Sequence, residues 1–316
     1  AHKVAPCLAT GNTMVLKPAT KTPLTALLLG EVLEKAGVAP GQVNILTCSN
    51  ELAGRLVGHP RVKMVSFTGS PAVGWQLKAK CGKQRITLEL GGNAGVIVHE
   101  DANLASAIPA IATGGFGYAG QSCISVQRVF VHAPIYDTFR ERFLEHVRAH
   151  IRWGDPRQRE TVVGPMIEPA AVERVCGWIH DAAKAGAKIL LGGKAHGPFL
   201  EPTVLENVDA RLDLCAKEVF APVVTLHGYE HFDEALAQVN DSDYGLQAGV
   251  FTQNLQRALH AFASVDVGGV LVNEVPTFRV ENMPYGGIKE SGFGREGIRY
   301  AMEEMTEVKS LIFKLT

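Results

Sequence analysis

From Thr13 to Leu90 the chain alternates short apolar runs with stretches of helical spacing, and this alternation limits the fold more than any single residue does. Residues 13–16, 43–46, 62–67 and 86–90 read as strands, with helices predicted over 23–36, 51–57 and 71–80. In the first helix Leu24, Leu27, Leu28 and Val32 share one face, and Gly37 is its stop. Strands joined through helices form a parallel sheet with helices on its faces. A second set follows Gly91 and Gly92. Strands are expected at 96–98, 126–132, 188–191, 223–227, 249–251 and 269–272. Asp101 is the expected N-cap of an Ala-rich helix to about residue 113, and further helices are expected over 136–151, 170–185 and 233–239. The fold class is therefore α/β, and 316 residues are more than one core usually serves, so two domains are expected. The run 307–315 is β-like and reads as an edge strand, which can also pair with another subunit.

With Lys plus Arg at 31 and Asp plus Glu at 32, the chain lacks the basic excess that nucleic acid or a membrane surface requires. No apolar run approaches a bilayer span, and no signal-peptide pattern opens the chain. The 6 cysteines are scattered without a CxxC pair, which reads as reduced thiols of a cytoplasmic protein and gives no metal site. Ala1 is not an initiator Met and the first residues read as mid-helix or loop, so a piece of a longer chain is expected.

Two GxGxxG strings, Gly115–Gly120 and Gly292–Gly297, are decoys: a dinucleotide fingerprint needs a strand before it and a helix after it, and neither has both. A better phosphate candidate is Phe67-Thr68-Gly69-Ser70, where a strand turns into a helix and exposes backbone N–H groups. Any one cysteine is by default inert apolar filling. Cys123, in Gly120-Gln121-Ser122-Cys123, differs because small residues around it leave room for a substrate. Glu89-Leu90-Gly91-Gly92 closes a strand with a carboxylate and two glycines, and Lys217-Glu218-Val219-Phe220 is bland by itself.

Together with Met14-Val15-Leu16-Lys17 and the run from Pro284 through Tyr285 to Glu296, these strings resemble the motifs of the aldehyde dehydrogenase superfamily, in order and spacing, over essentially the whole chain. The likeness extends to a subgroup acting on lactaldehyde, glyceraldehyde-type and semialdehyde substrates. The resemblance implies an incomplete Rossmann-like cofactor domain over 1–91, a catalytic domain over 92–290, and a C-terminal helix and oligomerisation strand over 291–316. It implies Cys123 as the nucleophile, forming a thiohemiacetal and then a thioester. A free thiol titrates near about 8.5, so it needs a favourable field to be thiolate at neutral pH. Glu89 is then the base that activates water. Lys17, Thr20, Gly69, Ser70, Leu90, Glu218 and Phe220 are implied as cofactor residues for NAD or NADP. His2, Arg279 and Tyr285 are implied around a small aldehyde, and a homo-oligomer is expected.

Departures from the pattern carry information. NAD-preferring relatives often have Glu where this chain has Thr20, and Thr does not repel a 2′-phosphate, so NADP is admitted. Ala221 replaces a common Gly. His2 and Arg279 are basic, which suits a polar or anionic aldehyde, although each can equally face solvent or a carboxylate such as Glu281. The family's oxyanion Asn aligns upstream of Ala1, which leaves the Cys123 main-chain N–H as the expected donor. The competing readings are a coenzyme A-acylating relative, which typically lacks the Glu89 carboxylate, a non-catalytic binding relative, and a Cys hydrolase without a persuasive His.

Overall fold

The computed structural model describes residues 1–315, and the chain divides into two compact units. The first comprises residues 1–89, 280–286 and 292 onward; the second comprises 90–279 and 287–291.

In the first unit, α1 (Val4–Ala9) precedes β1 (Met14–Leu16), α2 (Leu24–Lys35), β2 (Val43–Ile45), α3 (Asn50–Val57), β3 (Met64–Thr68), α4 (Pro71–Lys80) and β4 (Arg85–Glu89). Strand and helix alternate as the apolar spacing predicts. β1 pairs in parallel with β2, and β3 with β4. Gly292–Phe293 adds an antiparallel strand to β4. Gly37, at φ 82°, ends the turn after α2. Leu24, Leu27, Leu28 and Val32 lie on one face of α2 as expected, and that face is exposed. One expectation fails. Residues 307–315 form no strand, and Val308, Ile312 and Leu315 are exposed; an edge strand needs a neighbour, and the chain offers none among the described residues.

The second unit is built on a seven-stranded sheet in the order Gly269–Val272, Gln247–Phe251, β5 (Ala94–Val98), β6 (Val126–His132), Val223–Tyr229, Thr203–Glu206, Lys188–Leu191. Every neighbouring pair is parallel except the last. Alternate residues of a strand face opposite sides, and the core divides accordingly. Val96, Val98, Val129 and Val131 join α5 (Leu104–Phe116), α6 (Tyr136–His150) and α7 (Pro169–Lys184) in one cluster. Ile97 and Phe130 join Leu236 and Ala261 in the other. Fully buried side chains such as Phe116, Phe139 and Phe143 each contribute roughly 1.5–3 kcal/mol. The N-cap of α5 is Asn103, whose side chain accepts the Ala105 N–H at 3.1 Å. The expected cap, Asp101, instead accepts from Thr252 and Gln253 and pairs with Arg257 at 2.9 Å, a tertiary arrangement that local sequence does not reveal. No helix among the described residues is long and apolar enough to cross a membrane.

Candidate active site

On the first unit, Lys17 follows β1 directly. Its Nζ donates to Thr20 Oγ1 at 3.0 Å and to Asn50 Oδ1 at 3.1 Å, at the start of α3. Asn50 was not legible as part of this group, since 33 residues separate it from Lys17. Gly69 donates its N–H to the Glu89 carbonyl at 3.1 Å. Ser70 is the N-cap of α4 and makes no side-chain cap bond, and Pro71 at the first turn has no N–H of its own. The turn therefore presents a helix start to solvent, the feature that suits an anion.

Glu89 is the last residue of β4, opposite Thr68 on β3 and Gly292 on the other side. It is buried, at 3% exposure. The Gly286 backbone runs beside it: a Cβ there would lie 3.0 Å from Glu89 Oε1. Tyr285 is buried, with its backbone bridged to Glu296, whose carboxylate meets Lys3 Nζ at 2.5 Å. His2 reaches Glu281, 3.3 Å away.

On the second unit, α5 ends at Phe116 and the chain reverses hand. Tyr118, Ala119 and Gly120 take φ of 54°, 56° and 65°. Two non-glycine residues in the left-handed region store strain of roughly 1–3 kcal/mol each and persist only where surroundings over-determine them. Here they do. A Cβ on Gly120 would lie 2.0 Å from the Ala221 carbonyl oxygen, so this turn is pressed against the segment after Phe220. Gln121 Oε1 accepts the Ile167 N–H at 2.8 Å, and Ser125 Oγ donates to the Gly114 carbonyl at 3.2 Å. The half-buried Cys123 stands between these anchors, just before β6.

Gly92 lies against the Cys123 main chain and donates its N–H to Glu218 Oε1 at 2.9 Å. Burial pushes the Glu218 carboxyl up to about 7, against the pull of that N–H and of Arg174. Phe220 follows in the left-handed region, at φ 51°. Gly92, Ser122, Gln127, Glu218 and Phe220 line one small recess. Sequence reasoning missed Gln127, which belongs to none of the quoted motifs. Arg279 is half-buried on the segment after Pro276, whose carbonyl accepts from Gln247 Nε2. Of the other cysteines, Cys7, Cys81, Cys176 and Cys215 have thiols pushed up by burial, which keeps them protonated.

A sequence model described as the aldehyde dehydrogenase family matches residues 1–311. The chain belongs to the aldehyde dehydrogenase family. It is 46% identical over 315 residues to a 3-sulfolactaldehyde dehydrogenase of Priestia aryabhattai, covering 99% of this chain and 66% of that protein. Aldehyde dehydrogenase 21 from Physcomitrella patens, solved with the reaction product succinate, superposes with TM-score 0.96 at 44% identity, covering 99% of this chain and 65% of that one. A glyceraldehyde-3-phosphate dehydrogenase from Methanocaldococcus jannaschii, complexed with NADP, gives TM-score 0.93 at 40% identity, covering 98% and 68%. The chain thus spans about two thirds of the length of the relatives that it matches.

Proposed function

We propose that this chain carries the catalytic residues of an NAD(P)-dependent aldehyde dehydrogenase that releases a free acid. The observation that supports this most is the left-handed turn that holds Cys123 against Gly92, with Glu218 hydrogen-bonded to the same Gly92.

In this reading the Cys123 thiolate attacks the aldehyde carbon and forms a C–S bond, giving a thiohemiacetal. Lys17, with Thr20 and Asn50, would hold the adenosine ribose end of a dinucleotide, the Gly69–Ser70 turn its diphosphate, and Glu218 the nicotinamide ribose, with Leu90 and Phe220 beside it. These residues fit the group: an exposed ammonium amid hydroxyl and amide oxygens, an open helix start, and a carboxylate lining a recess. A bound nicotinamide supplies the hydride acceptor that converts the thiohemiacetal to a thioester. Glu89 then takes a proton from water, the water oxygen bonds the acyl carbon, the C–S bond breaks with its electron pair returning to Cys123 as thiolate, and the acid leaves.

Among the relatives, the lactaldehyde dehydrogenases support a small polar aldehyde and others support an anionic one. The sulfonate in sulfolactaldehyde, the carboxylates of succinate and the phosphate of glyceraldehyde-3-phosphate are all charged. Arg279 suits such a group, because a planar guanidinium binds two oxygens of an oxyanion through paired donors. His2 already reaches Glu281, which supports the structural role for it. Tyr285 is proposed as an aldehyde-pocket residue on the family resemblance. The exposed apolar side chains of Val308, Ile312 and Phe313 support assembly into a homo-oligomer.

The test is the fate of the acyl group in Glu89→Gln. With aldehyde and oxidised cofactor, the variant should give one burst of NAD(P)H and accumulate an acyl adduct on Cys123 by intact mass. Absence of both burst and adduct would count against the reading. Rapid clearance of the adduct by coenzyme A alone would favour the acylating alternative.

A further inference from the structure

Gln127 is the second residue of β6, four positions after Cys123, and it is 5% exposed. Its side-chain amide bonds to main-chain groups. Oε1 accepts the N–H of Val219 at 2.9 Å, and Nε2 donates to the carbonyl of Lys217 at 2.8 Å. The two bonds therefore bracket Glu218 from the residues on either side of it. The amide orientation follows from its partners: a main-chain N–H can only donate and a carbonyl can only accept. A weaker contact from Nε2 reaches the Leu214 carbonyl at 3.4 Å. The strand beneath is itself held, since Thr225 Oγ1 donates to the Gln127 carbonyl at 3.2 Å.

This bracket does work that the local chain cannot do alone. Phe220, two residues further on, sits at φ 51°, where a large side chain is disfavoured, so the loop needs outside support to keep its shape. The carboxylate of Glu218 depends on that shape, because its main-chain donor, Gly92 N–H, is fixed 2.9 Å away on another segment. A small shift of the Glu218 backbone breaks that alignment. No other natural side chain reproduces the bracket. Met keeps the length without either hydrogen bond. Glu keeps the acceptor for Val219 but places a second carboxylate beside Glu218 and loses the donor to Lys217. Asn is a methylene shorter and cannot span both partners from the same strand.

We propose that Gln127 is the positioning residue for Glu218, setting the carboxylate that grips the nicotinamide ribose from the same strand that follows the nucleophile. This rests on the reading of Glu218 as a cofactor carboxylate.

The test compares Gln127→Met, Gln127→Glu and Glu218→Gln in the enzyme. Cofactor affinity is read by fluorescence titration with NAD(P)H. Hydrolysis of p-nitrophenyl acetate is read in the absence of cofactor: Cys123 sulfur bonds the acetyl carbon, p-nitrophenolate leaves, and water then releases acetate. Gln127→Met should weaken NAD(P)H binding about tenfold and lower kcat for aldehyde oxidation, while ester hydrolysis moves less than threefold. Glu218→Gln should weaken binding similarly, and the double variant should be no worse than either, as expected of residues acting as one unit. If Gln127→Met does not fold, Gln127→Glu carries the same comparison and should also lose binding more than ester hydrolysis. A parallel fall of both readouts, or wild-type affinity in the Gln127 variants beside a weakened Glu218→Gln, overturns the positioning role alone. Wild-type affinity in Glu218→Gln overturns the underlying reading of Glu218.

Discussion

The carbonyl oxygen of Cys123 occupies the space where a side chain at Gly92 would begin: a Cβ built on Gly92 falls 2.0 Å from it. The segment after β4 and the cysteine loop are thus packed backbone to backbone. Gly92→Ala should push the two apart, costing about 1–3 kcal/mol for overpacking. It should also tilt the Gly92 N–H away from Glu218. The expected outcome is a lower Tm together with a loss of aldehyde oxidation larger than the loss of fold explains, measured at a temperature where the variant is fully folded. Wild-type activity in a folded Gly92→Ala would show that the close approach is not needed.

Glu218 gives a pH dependence of defined sign. Its carboxyl is raised from 4.5 to about 7 by burial, so between those values the folded chain holds a proton that the unfolded chain releases. Its contribution to stability is present in full below about 4.5 and is lost as pH rises through about 7. Glu218→Gln should flatten that decline in urea-denaturation midpoints measured from pH 4.5 to 8. In the enzyme, cofactor affinity should rise as Glu218 ionises, with a midpoint near the same pH. An identical stability profile in the variant would argue against the raised carboxyl.

Thr20 accepts from Lys17 Nζ at 3.0 Å where a carboxylate would carry full negative charge. Thr20→Glu should shift preference from NADP toward NAD by at least about tenfold, about 1.4 kcal/mol. Initial rates with the two cofactors at subsaturating concentration report the ratio directly. An unchanged ratio would mean that the 2′-position is read elsewhere.

Arg279→Ala should lower kcat/KM for an anionic aldehyde far more than for a neutral one of the same length. A charge-assisted hydrogen bond is worth about 1.5–3 kcal/mol, so the selective loss should be about 10- to 150-fold. Equal losses on both substrates would assign Arg279 to structure.

The sequence by itself determined the α/β alternation, the strand that carries Glu89, the turn at Gly69–Ser70 and the singling out of Cys123, because these are local signals. Apolar period, glycine at turns and ordered short motifs are written in neighbouring residues. Only the tertiary structure decided which residues share work across long separations. Asn50 meets Lys17 across 33 residues, and Asp101 leaves its expected cap to hold Arg257 across 156. The exposure of the Leu24–Val32 face and of the 307–315 run depended on which surfaces exist to cover them, which no single segment encodes. The same limit hid Gln127, whose partners lie 90 and 92 residues away. A hydrogen bond depends on distance in space and leaves no mark on sequence spacing, so the support of Glu218 became visible only when β6 was folded against the loop that carries it.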